Sequence, residues 1–344
     1  RAVAPISDEI ELQANLRGFI DERDRGFDFS DNENSGADAS IRVVGRGDWQ
    51  WSALGYLQIR DFRARFGSVA ADRNSVRLVF EQFNVPSTGL GTRFELRPPV
   101  GDDAEVRVGG DWRRTVGETN ENFFFIGPTP QRSRNAGGRT DTVGAFLEGI
   151  WKPNDKLTFT AGARADRWNI SNGFRKEINL SDGSIRGDDI FARRSRWEGS
   201  GRVGFGWQPD ENFEWTFRGS AYTSWRLPTL NELYRPFRVG ADATAANEML
   251  RPERLKGGEI GIGYDNGDDF QFSATVFWNQ LDNAIANVTL ASGPGLFPGV
   301  GFVSGAGVYR QRQNLDAIES KGVEIDGKID LTDRVGLSPG YDNL

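Results

Sequence analysis

The sequence predicts an all-β protein, and within that class an antiparallel transmembrane β-barrel. Three observations point there. Apolar and polar residues alternate strictly along repeated stretches. Short turns take turns with long polar connectors, and aromatic residues gather beside the short turns.

Alternation is the primary signal. From Ile10 every second residue is small or apolar, through Leu12, Ala14, Leu16, Gly18 and Ile20, while Glu11, Gln13, Asn15, Arg17 and Asp21 lie between; Phe19 is the exception. About 11 residues in this pattern cross a bilayer as a tilted strand. The pattern returns at residues 51–59, 104–112, 143–151, 157–165, 197–207, 215–225 and 270–278. It predicts which side chains meet lipid: Leu12, Leu57, Val106, Leu147, Phe159, Val203, Phe217 and Val276. Their neighbours Glu11, Gln58, Arg107, Glu148, Arg164, Arg202, Arg218 and Thr275 belong on the concave side.

The connectors have two lengths. Pro, Gly, Asn and Asp clusters near 48–50, 98–103, 152–156, 208–212, 265–269 and 332–334 read as tight hairpin turns. Between them lie long polar connectors near 21–38, 62–88, 116–139, 169–192, 226–252 and 282–308. Short turns on one side and long loops on the other are the asymmetry of bacterial barrels. Trp49, Trp51, Trp151, Trp207, Phe213, Trp215, Tyr264 and Phe270 stand within a few residues of a short turn. That placement suits a girdle at the membrane–water interface. A propeller could share the period of about 45–50 residues, but it would need four short strands where each period here holds two long ones.

Composition removes other classes. The 344 residues carry a net charge of −7 and contain no Cys and no His. Without Cys there is neither a disulfide framework nor a thiolate ligand, and without His the Ser-His-Asp arrangement is impossible. Arg is frequent but interleaved with Asp and Glu, so no basic stripe for nucleic acid stands out. No apolar run reaches the roughly 20 residues of a membrane helix. The acidic connectors at 21–24, 28–33 and 188–189 lack EF-hand spacing and read as solvated loops. No catalytic residue, metal ligand or cofactor is assigned.

One stretch carries a family resemblance: Ser224-Trp225-Arg226-Leu227-Pro228-Thr229-Leu230-Asn231-Glu232-Leu233-Tyr234, continuing through Arg235-Pro236-Phe237-Arg238-Val239-Gly240. After a polar gap follows Asn247-Glu248-Met249-Leu250-Arg251-Pro252-Glu253. This resembles the late-barrel signature of TonB-dependent receptors, an Arg-x-Pro-(Ser/Thr)-Leu-x-Glu-Leu-Tyr loop leading to Asn-Pro-x-Leu-x-Pro-Glu. Glu248 stands where the family usually has proline. Pro228 should stop one strand, since it cannot donate to a ladder, and Pro252 should hold Arg251 extended ahead of the next. Residues 151–162 and 319–325 are similar to a periplasmic turn and a late strand of the same barrels.

The resemblance implies an outer-membrane receptor surrounded by lipid. It would take up a small metal chelate, such as a ferric siderophore or cobalamin. The TonB energy-transducing complex would act through an N-terminal plug domain. Such barrels have about 22 strands around a plugged lumen. Residues 1–344 hold about 13, an odd count where single-chain barrels have even ones, so they read as an incomplete barrel without the plug and the last strands. Candidate ligand residues are Arg226, Tyr234, Arg235, Phe237 and Arg238 of the signature loop, and Phe123, Phe124 and Phe125 of an outer loop. Arg suits anionic groups and rings stack on flat ligands. A passive porin or adhesin barrel shares every strand-level feature, and a soluble β-rich glycan-binding protein is the more distant alternative.

Overall fold

The computed structural model describes residues 1–209, 214–267, 269–332 and 335–343. Strands dominate it. In chain order they begin with β1 (Ala2–Pro5), β2 (Ile10–Arg23), β3 (Asn32–Gly45), β4 (Gln50–Val69), β5 (Val76–Asn84) and β6 (Ser87–Arg97). There follow β7 (Ala104–Ile126), β8 (Thr129–Asn154), β9 (Leu157–Asn179), β10 (Ile185–Phe191), β11 (Arg194–Trp207) and β12 (Trp215–Arg226). A short helix, α1 (Leu230–Tyr234), precedes β13 (Phe237–Val239), β14 (Asp242–Ala245), β15 (Glu253–Asp265) and β16 (Phe270–Asp282). The chain continues through β17 (Ile285–Ser292), β18 (Gly295–Phe297), β19 (Gly301–Val303) and β20 (Val308–Asn314). It finishes with β21 (Ala317–Thr332), β22 (Val335–Leu337) and β23 (Gly340–Asn343).

Seventeen of these segments form one sheet. Each wall strand pairs antiparallel with the next, from β1 to β22 and β23. Three pairs of segments are each one interrupted strand. β5 and β6 share the neighbours β4 and β7 across a break at Val85-Pro86. β10 and β11 both lie along β9, and β22 and β23 both lie along β21. That leaves fourteen wall positions, one more than the sequence suggested. The extra one is β1, which turns back at residues 6–9 to pair Ala4 with Leu12, so the wall begins before the strand expected near Ile10. Among the described residues β1 and β22/β23 have no partner on their far sides, and the wall is open.

The two faces of the wall differ as alternation demands. Val106, Leu147, Phe159 and Val203 fall on one face of successive strands, with Leu147 55% exposed. The eight residues assigned to the other face all bond to polar partners there. Arg202 reaches Glu148 at 3.3 Å, Arg218 reaches Thr275 at 2.7 Å and Gln58 reaches Asp38 at 3.2 Å. Arg164 bridges Asp111 and Asp166, Arg107 holds Glu105, and Glu11 accepts from Gln13 and Arg46. An apolar face turned outward and an ion-paired face turned inward is the arrangement of a wall between lipid and a polar lumen.

The short turns share one end. The 155–156 turn closes β8 on β9, while Asp188 pairs with Lys176 at the far end of β9. At the turn end, outward rings meet across strands: Trp151 on Phe159 (5.7 Å between centroids), Trp207 on Phe217 (5.3 Å) and Trp215 on Tyr264 (4.9 Å). Phe213 and most of the 208–212 turn lie outside the described residues, as do Asp268 and residues 333–334.

The long connectors differ from the sequence expectation. Much of their length is strand. β7 and β8 remain paired from Ala104↔Trp151 to Ile126↔Thr129 and close in two residues, Gly127 at φ +58 and Pro128. At ~3.3 Å per residue this hairpin runs roughly 70 Å, well past a hydrocarbon core of about 30 Å. Apolar–polar alternation stops at the edge of lipid because the outward face no longer meets hydrocarbon and the other face buries polar groups such as Thr119 and Glu121, while the hydrogen-bond ladder continues. Phe123, Phe124 and Phe125 therefore belong to the distal part of β7, where they were expected in a loop. The prolines act as expected, with β12 ending at Arg226 ahead of Pro228 and β15 starting at Glu253 after Pro252.

The face assignment makes a measurable difference. Leu147→Arg, near mid-depth on the lipid face, should cost about 2–4 kcal/mol in refolding titrations of the full-length protein in bilayers. Thr158→Arg, on the lumen face, should cost under about 1 kcal/mol. Equal costs would show that the two faces see the same solvent.

Candidate functional site

The site is built where β12 leaves the wall. Thr229 caps α1 by accepting from the Glu232 N–H at 3.2 Å, and the Glu232 carboxylate accepts from the Thr229 N–H at 2.7 Å. This reciprocal box fixes the entry of a helix only five residues long. The Thr229-x-x-Glu232 spacing makes that helix legible, though the strand reading passed over it.

α1 turns Leu233 and Tyr234 onto Ala136, Trp168 and Ile170 of β8 and β9, with Leu250 beside them. Ala136, Trp168 and Ile170 have the parity of the lumen face, so α1 folds over the inside of the wall beyond the membrane. Tyr234 is 2% exposed and stacks on Phe191 at 4.7 Å. Gly173 makes room for its ring, since a Cβ there would lie 2.3 Å from Tyr234 Cζ. Arg226 is occupied as well. It donates to Glu232 at 3.0 Å and to Glu253, whose other oxygen accepts from the Ile285 N–H at 2.7 Å. Tyr234 and Arg226 thus hold the loop in place, apart from the remaining candidates.

Those remaining candidates meet. Arg235 donates to Glu121 of β7 at 2.7 Å, and Arg134 of β8 donates to the same carboxylate at 3.1 Å and to the Pro236 carbonyl at 2.8 Å. Glu121 is 0% exposed. Arg134 lies over Phe123 at 4.9 Å, Arg132 over Phe124 at 4.7 Å, Arg238 over the same Phe124 at 5.5 Å, and Arg312 over Phe237 at 5.0 Å. Two segments more than a hundred residues apart therefore form one basic and aromatic surface. Phe125 pairs opposite Pro130 at the hairpin tip, beyond the bulge at Phe124, which has φ +55.

Arg132, Arg134, Arg186, Arg312, Glu121 and Glu177 join the site without having been picked from the sequence. Their signal is register. Glu121 and Phe123 lie opposite Arg134 and Arg132, and the Arg132-Ser133-Arg134 alternation sends both guanidinium groups to the lumen side. Glu177 takes Arg132 at 3.4 Å, Arg186 at 3.4 Å and Arg134 at 3.9 Å. Four arginines, 132, 134, 186 and 235, thus share the carboxylates of Glu121 and Glu177, and Arg238 stands beside them without a carboxylate partner of its own.

Arg238 satisfies its donors on the Val300 and Phe302 carbonyls, both at 2.7 Å, which neutralises no charge. Burial, then Arg132 and Arg134, lower its pKa, and burial and Arg186 lower that of Arg132. Arg312, which donates to the carbonyls of Asn231 and Arg235, is pushed down to about 10 by burial. It remains charged at neutral pH. Burial is the first cause in all three, and neighbouring arginines add to it. Among the described residues no group of three or more His, Cys, Asp or Glu is placed to hold a bare metal ion.

Two outer segments are also fastened to each other. β14 pairs parallel with β20, Ala243 opposite Tyr309, within the small sheet β13–β14–β20–β17. Asn247 donates to the Arg312 carbonyl at 2.9 Å and Asn314 to the Arg251 carbonyl at 3.0 Å. Residues 227–252 and 283–316 therefore support Arg235, Phe237 and Arg238 together.

Glu121→Gln should loosen this support. Removing one partner of a buried ion pair typically costs about 3–5 kcal/mol, because the other charge stays buried. Amide hydrogen exchange across residues 230–238 should speed up, while exchange in the wall near Leu147 stays slow. Unchanged protection at 230–238 would show that Glu121 does not hold the loop.

Comparison with known proteins agrees with this geometry. The chain matches the model of the TonB dependent receptor-like β-barrel over residues 7–343. It is 28% identical over 134 residues to the iron-regulated outer membrane virulence protein of Vibrio cholerae serotype O1, covering 37% of this chain and 19% of that one. Among solved structures, the copper transporter OprC superposes with a TM-score of 0.72 at 16% identity, covering 99% of this chain and 50% of that chain. The ferric-catecholate import receptor Fiu from E. coli K12 gives 0.66 at 11% identity, with 99% and 56% covered. The ferric yersiniabactin uptake receptor FyuA from Yersinia pestis gives 0.64 at 13% identity, with 97% and 49% covered. At these identities the structures show the shared fold, and the chain spans about half the length of each. A family match over nearly the whole chain, on an open wall of antiparallel strands with one lipid face and one polar face, makes this protein a member of the TonB-dependent receptor β-barrel family of the bacterial outer membrane.

Proposed function

We propose that this wall belongs to a receptor that captures an anionic metal chelate, foremost a ferric siderophore, and imports it by TonB-driven transport. The observation that carries the reading is the charge balance at the outer mouth. Four guanidinium groups share two carboxylates, Arg238 adds a fifth charge beside them, and Phe123, Phe124 and Phe237 lie beneath guanidinium groups. Such a surface suits a ligand that is both anionic and flat in part, as a catecholate or carboxylate chelate is. The metal would arrive inside its chelate, so the protein needs no ligand cluster of its own. Cobalamin carries its negative charge at one phosphodiester and fits the cationic excess less well.

The relatives' names point the same way, toward iron and copper uptake. Energised passage needs a plug inside the lumen and a contact with TonB. We infer that the remainder of the receptor supplies them, in keeping with a chain that spans about half of the solved structures it matches. The polar lumen face, with Arg202–Glu148 and Arg218–Thr275 already paired, offers such a plug a hydrogen-bonding wall.

The test is binding to the full-length receptor in detergent, read by quenching of tryptophan fluorescence. A ferric tris-catecholate should bind, and a charge-neutral ferric hydroxamate should bind at least about tenfold more weakly, a difference of about 1.4 kcal/mol. Arg132→Gln with Arg238→Gln should weaken the catecholate by roughly a hundredfold, since each lost charged hydrogen bond is worth about 1.5–3 kcal/mol, and should leave the hydroxamate nearly unchanged. Equal affinity for the two chelates, unaltered by the substitutions, would overturn the anionic-chelate reading.

A further inference from the structure

A second cationic surface lies on the opposite side of the wall. Strand parity turns Arg114, Arg139 and Arg167 outward, on the face that carries Val143, Leu147 and Trp197. Arg114 and Arg139 both donate to Asp141, at 2.7 and 2.6 Å. Arg167 lies opposite Val143 and over the Trp197 ring at 6.0 Å, and Trp197 is 63% exposed. Arg193 joins them by donating to the side chain of Asn169, which shares the outward parity and lies opposite Asp141. Four guanidinium groups thus share this face with two carboxylates, Asp141 and, further out along β7, Glu118, which has the parity of Arg114.

Their height is what gives them a partner. Arg167 lies along β9 from the lower girdle at Phe159, and Arg114 along β7 from the girdle end at Ala104. At ~3.3 Å per residue and a tilt of about 40°, these charges sit roughly 20–25 Å above the girdle. That is the upper edge of an apolar band about 25 Å tall.

Elsewhere along the wall the same height is neutral. Ile59 occupies the equivalent place on β4, counted from Trp51. On β15, Lys256 lies as far from Tyr264 as Arg167 does from Phe159, and it is matched by Asp282 at 3.4 Å. On β21, Lys321 is matched by Glu319 at 3.3 Å. The sector β7–β8–β9–β11 thus carries four outward guanidinium groups against two outward carboxylates.

We propose that this sector seats the phosphorylated headgroup of an acylated lipid in the outer leaflet. The acyl chains would lie on Leu147 and Val203 below, and the phosphates between Arg114, Arg139, Arg167 and Arg193. A free phosphate offers the same charge without the chains. The apolar surface directly beneath the guanidinium groups favours the lipid. This inference uses the outer face only, so it stands or falls independently of the chelate at the mouth.

The experiment is native mass spectrometry of the full-length receptor in mild detergent, titrated with a bis-phosphorylated lipid A, with the same lipid stripped of phosphate, and with inorganic phosphate. The wild type should retain the phosphorylated lipid and lose the stripped one. Millimolar inorganic phosphate should not displace it. R114Q/R139Q/R167Q should weaken retention by roughly a hundredfold, because each basic residue at a charged membrane surface contributes separately. R114K/R139K/R167K keeps the charge and should retain most of the binding. Lys256→Gln, in the balanced sector, should change nothing. Equal retention of the stripped lipid, full retention by the glutamine variant, or displacement by phosphate alone would overturn the proposal. If the glutamine variant does not fold, the wild-type comparison of the two lipids decides it.

Discussion

Inside lipid no water can serve an exposed N–H or C=O, and the rest of this structure depends on that constraint. The wall meets it by pairing every strand with the next in an uninterrupted antiparallel series from β1 to β22/β23. Once the ladder is obligatory, side chains can only alternate between lipid and lumen. Leu147 and Glu148, neighbours in sequence, then live in different solvents. The lumen face carries charge at little cost because its arginines find carboxylates on the same face, as Arg164 finds Asp111 at 2.6 Å. Two of the three breaks in the ladder fall away from the turn-side girdle, and the third, at residues 338–339, lies near the short turn after β21. Val85-Pro86 interrupts β5/β6, and residues 192–193 interrupt β10/β11, toward the ends of the strands where water can serve the open groups.

Beyond the membrane the same ladder has a second use. β7 and β8 carry their pairing out to Ile126 and Thr129 and so bring Glu121, Phe123, Arg132 and Arg134 to a fixed position. The signature loop comes to meet them because α1 is pinned by Leu233 and Tyr234 on one side and by Arg226, Glu232 and Glu253 on the other. Glu121 is the joint between the two parts. Its carboxylate is fully buried, Arg134 is buried beside it, and Arg235 ties the signature loop to the pair. A rigid hairpin and a capped helix thus replace what would otherwise be two long flexible loops, which lowers the ordering cost of binding.

The wall was legible in the sequence because period-2 alternation and proline punctuation are local. Ile10 through Ile20 state which face is which without reference to any other strand, and Pro228 and Pro252 mark where β12 ends and β15 begins. The mouth was less legible because its meaning is not local. Past the lipid edge the outward face of β7 and β8 leaves hydrocarbon and the other face buries polar groups such as Thr119, Glu121 and Arg134, so residues 116–139 lose their alternation and resemble a loop while remaining strand. Tyr234 looked like a stacking ring for a ligand. Its ring fills the space over Gly138 and Gly173, a fit that only the register of β8 against β9 reveals. Arg132 and Arg134 became part of the site through pairing with β7, which no count along one strand can supply.

Arginine shows most clearly why composition misled at the site. The chain has a net charge of −7, and its arginines are interleaved with carboxylates throughout, so no basic stripe stands out. The fold sorts the same residue type into three circumstances. In the lumen each guanidinium is matched nearly one for one, as in Arg202–Glu148 and Arg107–Glu105, and the surface is close to neutral. At the mouth four guanidinium groups share Glu121 and Glu177 with Arg238 beside them, and on the outer rim four stand with Asp141 and Glu118. Matched pairs at a wet surface contribute little and attract little. Unmatched groups, held by burial or by a low-dielectric border with lipid, keep a field that can select an anion. What distinguishes a binding surface here is the local ratio of guanidinium to carboxylate across strands, a quantity fixed by register and invisible to any window along the chain.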